Sequence, residues 1–283
     1  MNYYIVIPAH NEAKYISSTL DSILSQTVLP KQVIVVNDNS TDNTANIIGG
    51  YVEKHSFISL VNNLSTNQHL PGSKVIQAFN KGLKKLDDDF DFIVKLDADI
   101  ILPNNYFETL INHFQLDDKI GMVGGFAYIE KDGKWVLENL TNKDHIRGAF
   151  KAYRKQCFKD IGQLKTSMGW DTVDELLAQY YDWKIKTDES LKVKHLKPTG
   201  KTYNKTARYK QGEAFYKLGY GFTLTCIAGI KLALLKKKPF LFFDYLKGFF
   251  KAEKSRTEKL VSQQEERFIR RLRWRGIKHK LGL

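Results

Sequence analysis

Cysteine is scarce in this 283-residue chain. Cys157 and Cys226 are the two present, too few for a disulfide framework or a structural zinc site, which points to a reducing compartment. No stretch is apolar and charge-free over the roughly 18 residues that a membrane span takes. The N-terminus, MNYYIVIPAHNE, has no basic region ahead of its apolar run, and that run is too short for a signal peptide. The composition of a disordered chain is absent as well: 42% of residues are hydrophobic and 27% charged, as in ordinary globular proteins. No internal repeat and no low-complexity linker interrupts the chain. Its length suits one large α/β domain with an appendage, or two domains of about 150 residues.

Acidic residues are scarce in one region only. The net charge is +13, and Lys236 to Leu283 carries 15 basic and 5 acidic residues, a net +10. The first 235 residues hold 29 basic and 26 acidic side chains, a net +3. An anionic partner surface therefore concerns the tail and not the body.

What is present follows a βαβ rhythm. Strands are predicted at Tyr3 to Pro8, Gln32 to Asn37, Phe57 to Asn62, Phe92 to Leu96 and Ile120 to Tyr128. Helices are predicted at Glu12 to Gln26, from Ser40-Thr41-Asp42 to Lys54, at Ser73 to Leu86 and at Pro103 to Phe114. Asp42 suits the cap of the second helix. Continuous apolar strands in this order predict a parallel sheet covered on both faces. The middle is less regular, with a helix at Asp171 to Tyr181 and short strands at Trp183 to Lys186 and Leu191 to His195. The C-terminal part changes character. Phe222 to Leu235 is apolar nearly all round. In Phe240 to Lys254, the residues Asp244, Lys247, Lys251 and Lys254 form one helical stripe beside Phe243, Leu246, Phe249 and Phe250. Such a helix packs on a core or lies in a membrane interface. Arg267 to Lys280 is densely basic.

Ligands of open α/β sheets sit at the carboxyl ends of the strands. Three polar clusters fall there: Pro8-Ala9-His10-Asn11-Glu12, Asn37 to Asp42, and Asp97-Ala98-Asp99. None has the glycine spacing of a dinucleotide site or a phosphate-binding P-loop. Carboxylates in these places can hold a hard cation that neutralises a diphosphate, or accept hydrogen bonds from a base or ribose.

The strings IVIPAHNE, VIVVNDNSTDNT and IVKLDADI, in this order on predicted strands, resemble glycosyltransferase family 2. The resemblance continues through IRGAFKAYRKQCFKDIG, GWDTVDELLA, HLKPTG and FYKLGYG, and covers about residues 3–221. It implies an α/β fold of the GT-A (Rossmann-like) type, a mostly parallel central sheet flanked by helices, followed by a C-terminal amphipathic helical extension. It implies a catalytic domain over residues 1–218; the net charge and aromatic helices of the remainder make residues 219–283 a basic, membrane-associating tail by expectation. Pro8, Ala9, His10 and Glu12 would line the nucleoside pocket. Asp38 would accept a hydrogen bond from the base, and Asp97 would sit near the ribose or the sugar. Asp99 would bind Mg²⁺ or Mn²⁺, with His195 either a late metal ligand or a packed histidine. Asp171 would be the general base of an inverting transfer. Trp170 stands where the family usually has Glu, which leaves Asp174 and Glu175 as alternatives to Asp171. Phe79 stands where many relatives carry Arg. Arg147 and Gly148 are placed either at the donor or acceptor or in a simple turn.

These assignments describe an enzyme that moves a sugar from a nucleotide-sugar donor, a uridine diphosphate sugar, to a cell-envelope glycan or lipid-linked acceptor. It would work in the cytoplasm, peripheral on the inner face of the membrane, with residues 222–283 on an anionic lipid surface. A sugar nucleotidyltransferase would need a glycine-rich phosphate loop with a basic residue after the first strand, which PAHNE does not supply. A nucleic-acid-binding protein would need the excess charge on its body and a recognition motif, and has neither here, so no nucleic-acid partner is expected. A transferase-like protein that has lost activity is disfavoured by the joint presence of Asp38, Asp99 and Asp171.

Overall fold

The computed structural model describes residues 1–65, 72–138, 143–197 and 207–282. The Pro198 to Gly200 end of the HLKPTG string lies outside them. The chain divides into two compact units, one of residues 1–166 and 181–199, the other of residues 167–180 and 200–283.

The first unit is a sheet with helices. Its strands are β1 (Tyr3–Ala9), β2 (Gln32–Asp38), β3 (Ile58–Asn63), β4 (Phe92–Leu96), β5 (Ile100–Ile101), β6 (Ile120–Lys131), β7 (Lys134–Leu137), β8 (Phe150–Arg154) and β9 (Lys184–His195). Its helices are α1 (Ile16–Leu24), α2 (Thr44–Lys54), α3 (Ser73–Leu83), α4 (Tyr106–Leu116) and α5 (Lys155–Asp160). The strand order is β3-β2-β1-β4-β8-β6-β9-β5, with β7 paired to β6. β1 is parallel to both β2 and β4, and β2 is parallel to β3. The apolar runs that predicted β1, β2 and β4 are buried on both faces, with Ile5, Val6, Val35, Val36, Ile93 and Val94 inaccessible to solvent, while β3 at the sheet edge is half-buried. Tyr3 stacks on Phe92 at 4.9 Å, and Phe92 meets Phe114 of α4 at 5.0 Å.

Beyond β4 the sheet is mixed. β8 lies antiparallel between β4 and β6, and β9 runs parallel to β6 while pairing antiparallel with β5. The two short strands expected at 183–186 and 191–195 are one strand, β9, whose register against β6 shifts between Gly124 and Phe126. There β9 advances from Thr187 to Lys192 while β6 advances from Gly124 to Phe126, so the two expected stretches are the paired parts of one interrupted ladder.

The second unit is helical: α6 (Trp170–Tyr180), α7 (Ala207–Lys217), α8 (Gly221–Leu235), α9 (Leu241–Lys254) and α10 (Gln263–Lys280). Helix α10 opens on a capping box, with Ser262 accepting from the Glu265 amide and the Glu265 carboxylate accepting from the Ser262 amide. Tyr180 meets Phe268 edge-on at 5.4 Å, which seats α10 against α6. Among the described residues no helix is long and apolar enough to cross a membrane.

Candidate active site at the carboxyl ends of the strands

The parallel register of β1 to β4 brings the ends of β1, β2 and β4 together. Ala9 pairs with Asn37, and Asp38 with Asn63. Asp38 is 6% exposed, and its carboxylate accepts from the Asn63 amide at 2.7 Å. Asn37 donates in the same way to Asn62 at 2.9 Å. The His10 ring lies 2.6 Å from the Asp38 carbonyl through Nδ1. A carbonyl only accepts, so Nδ1 carries a proton there. This bond holds the exposed ring over the end of β2.

The turn after β1 is tied to the turn after β2. Asn11 adopts φ 55°, and its side-chain oxygen accepts from the Thr41 amide at 2.8 Å. Asn and Asp tolerate this left-handed conformation better than other non-glycine residues. Asp42 accepts from the amides of Ala13 at 3.1 Å and Thr44 at 3.0 Å. The N-cap position of α2 is Asn43, which makes no side-chain cap bond; Asp42, expected as the cap, stands one residue earlier and ties the turn after β1 to the start of α2.

The Asp97-Ala98-Asp99 turn is held from below by α1. The Thr19 hydroxyl donates to the Ala98 carbonyl at 2.8 Å and accepts from the Ile100 amide at 3.0 Å. Lys95, 1% exposed on β4, ion-pairs with Asp97 and donates to the Gly148 carbonyl at 2.9 Å. A buried ammonium needs such partners, because the charge is costly to desolvate alone. Asp99 is buried, and its carboxylate stands 3.5 Å from His195 Nε2. The pairing of Ile100 with His195 across β5 and β9 sets this approach. His195 Nδ1 lies 3.9 Å from Glu138, and Glu138 pairs with Arg147 at 2.9 Å. Lys197 reaches Glu12 at 2.5 Å.

These charges bear on one another. Burial pushes the Glu12 carboxyl above the usual carboxylate range, opposed by Lys197 and reinforced by the negative charges of Asp99 and Asp97. Burial would lower the His195 imidazole, but Asp99 and Glu138 outweigh it and raise it to about 9.

Among the described residues no group of three His, Cys, Asp or Glu side chains is placed to hold a metal ion. Asp99 and His195 form a two-donor set of carboxylate and imidazole, a combination suited to Mn²⁺. His195 turns Nε2 toward Asp99 at 3.5 Å; its buried Nδ1 lies on the Glu138 side and has no hydrogen-bond partner among the described residues. By donor chemistry the set fits a cation that would displace the imidazole proton and take its remaining ligands from a diphosphate and water.

Eight of the nine residues singled out in the sequence lie in the first unit: Pro8, Ala9, His10, Glu12, Asp38, Asp97, Asp99 and His195. Asp171 lies in the second unit, within the first turn of α6. It is not the cap residue, since Gly169, at φ +83°, stands just before the helix. Trp170, Asp174 and Glu175 are buried, while Asp171 is partly exposed. Phe79, at the position of the missing Arg, is fully buried and packs edge-on against Phe158. Arg147 is the partner of Glu138. Sequence reasoning passes over Asn63, Glu138, Lys95 and Lys197. Lys95 alone carries a signal, a lone cation inside an apolar strand run.

The family model "Glycosyl transferase family 2" matches residues 4–165, and the chain belongs to that family. A poly-beta-1,6-N-acetyl-D-glucosamine synthase of Staphylococcus epidermidis is 25% identical over 229 residues, which cover 73% of this chain and 53% of that protein. The chain thus spans about half the length of the curated relatives it matches. Among solved structures, S. aureus TarS 1-349 in complex with UDP-GlcNAc aligns with a TM-score of 0.55 at 20% identity, covering 82% of this chain and 67% of that one. A mannosyltransferase, PcManGT from Pyrobaculum calidifontis, in complex with GDP-Man and Mn²⁺, aligns with a TM-score of 0.56 at 17% identity, covering 99% and 80%. These structures share the fold, which is the GT-A type expected from the sequence.

Proposed function

We propose that this chain transfers a sugar from a uridine diphosphate sugar to a cell-envelope glycan or lipid-linked acceptor. The observation that carries the reading is the gathering of Glu12, Asp38, Asp97 and Asp99 at the ends of β1, β2 and β4, where open α/β sheets bind ligands. Family membership and relatives whose names concern N-acetylglucosamine polymers and UDP-GlcNAc support the donor class.

Asp38, fixed by Asn63, presents a carboxylate oxygen to a base N–H. His10, fixed by the Asp38 carbonyl, forms the wall of the nucleoside site with Pro8 and Ala9. Asp97, held by Lys95, faces the ribose or sugar. Asp99 and His195 would hold Mn²⁺ or Mg²⁺, which when bound neutralises charge on the departing diphosphate. Asp171 accepts the proton of the attacking hydroxyl. Its partial exposure favours it over the buried Asp174 and Glu175 as the base. Residues 1–218 supply the catalytic fold, and the basic helices of 219–283 bring it to an anionic membrane surface on the cytoplasmic side.

Calorimetry with a panel of nucleotide sugars, with and without Mn²⁺, tests the reading. A uridine diphosphate sugar should bind, and Asp99→Ala should abolish the Mn²⁺ dependence of that binding. Asp171→Asn should leave donor affinity nearly intact while turnover falls about 100-fold or more. Binding that ignores Mn²⁺ in the unaltered protein would remove the cation from the account. If Glu175→Gln and not Asp171→Asn shows the turnover loss, the base is Glu175.

A further inference from the structure

Helix α8 is apolar around its circumference, so packing one side leaves the other bare. Leu224, Gly229 and Ala233 are buried, while Ile230, Leu234 and Leu235 are 47%, 65% and 66% exposed. Across the turn, Phe240 and Phe243 are 82% and 67% exposed. Monomeric proteins rarely leave side chains of this size bare in one cluster without using them.

Charge says what covers them. No Asp or Glu occurs from Ala214 to Phe243, and Lys231, Lys236, Lys237 and Lys238 lie within that span, all four exposed. The turn itself is built around these lysines. Lys237 takes the left-handed conformation (φ 53°) that closes α8, with its amide on Leu234 O at 2.9 Å and the Lys238 amide on Ala233 O at 3.0 Å. Glycine is the usual residue at this position. Along α9 the exposed face continues as Phe243, Lys247, Phe250 and Lys254, at helical spacings of one stripe. Aromatic and aliphatic side chains interleaved with lysines match a bilayer interface, with rings among the acyl chains and ammonium groups at anionic headgroups. The more basic helix α10 lacks the apolar half of that requirement: Trp274 is its exposed large hydrophobic residue, with Leu281 just past its end.

We propose that the α8–α9 turn, led by Leu234, Leu235, Phe240 and Phe243, is the element that enters an anionic phospholipid surface, and that α10 is not. This rests on the reading of residues 222–283 as membrane-associating and assigns the contact within it. The affected side chains are already exposed, so their replacement leaves the packing of the helices in place.

The test is flotation of the full chain with vesicles of phosphatidylglycerol and phosphatidylcholine, and with phosphatidylcholine alone. The unaltered protein should float with the anionic vesicles and much less with the neutral ones. Phe240→Ser with Phe243→Ser should weaken partition by at least about tenfold at unchanged circular dichroism. Arg271→Glu with Arg275→Glu on α10 should weaken it less than the phenylalanine pair does. If the α10 pair releases the protein and the phenylalanine pair does not, the assignment to the turn falls while the membrane reading stands. If the full chain floats with neither vesicle, both fall, whatever the calorimetry says of the nucleotide sugar. If the full chain is a dimer that the phenylalanine pair turns into a monomer, a second copy covers this face and the lipid proposal is overturned.

Discussion

His195 is where the acidic cluster meets proton chemistry. An imidazole in an unfolded chain titrates near 6.5, and in the folded protein it is raised to about 9. The folded state therefore holds an extra proton between these values. The stability this contributes is complete below about pH 6.5 and is lost as the pH rises through about 9. In chelator, urea denaturation of the unaltered protein should show stability falling across that window by up to about 3 kcal/mol. His195→Gln should flatten the fall, and an unchanged slope in that variant would assign the proton to another group. The acceptor side of this cluster was legible in the sequence because Asp97 and Asp99 directly follow an apolar strand. Glu138, which shares in the His195 interaction, follows β7 with no motif around it. Asn63 and Lys197 escaped for a related reason. Their partners Asp38 and Glu12 lie 25 and 185 residues away in the chain, and only strand pairing makes such pairs neighbours.

Among the elements, the crossing of α7 and α9 is the tightest. A Cβ added to Gly212 would fall 1.8 Å from the Tyr245 carbonyl oxygen, and one added to Gly248 would fall 2.0 Å from that of Tyr209. The two helices touch backbone to backbone, and neither backbone can retreat without losing the Phe215–Tyr245 and Tyr216–Phe249 contacts at 6.3 and 5.7 Å. Gly248→Ala should cost about 3 kcal/mol or more, beyond an ordinary overpacking defect. Gly276→Ala in the exposed part of α10, where the new methyl meets nothing within 4 Å, should stabilise by about 0.5–1 kcal/mol. Chemical denaturation followed by circular dichroism checks both signs. The parallel strands were legible because burial on both faces writes an unbroken apolar run. Strand β8 was not, since Phe150 to Arg154 carries Lys151 and Arg154 and gains its place from its neighbours β4 and β6. The β6–β7 hairpin carries its own signal in the sequence: Asp132-Gly133, with φ of 50° and 72°, is the two-residue turn that antiparallel strands favour.

For the whole molecule, the chain path matters more than the charge count. It leaves the first unit after residue 166, returns at 181 to lay down β9, and leaves again after 199. A cut at 218, the end of the proposed catalytic domain, keeps α6 and α7 but discards α8, α9 and α10. The α7 rings Phe215 and Tyr216 would lose Tyr245 and Phe249, and Tyr180 of α6 would lose Phe268. Each large side chain uncovered gives up about 1.5–3 kcal/mol of burial, a sizeable share of the ~5–15 kcal/mol that holds a typical domain together. A fragment of residues 1–218 should therefore bind a hydrophobic dye and self-associate. Hydrogen exchange should show its α6 and α7 amides unprotected while those of β1, β2 and β4 stay as slow as in the full chain. The parallel strands need nothing from the helical unit to complete their own ladders, which is why the two regions should respond differently. Protected α7 amides in a dye-silent, monomeric fragment would mean that α7 is held by something other than α9, and that the glycine-lined crossing contributes little to the fold.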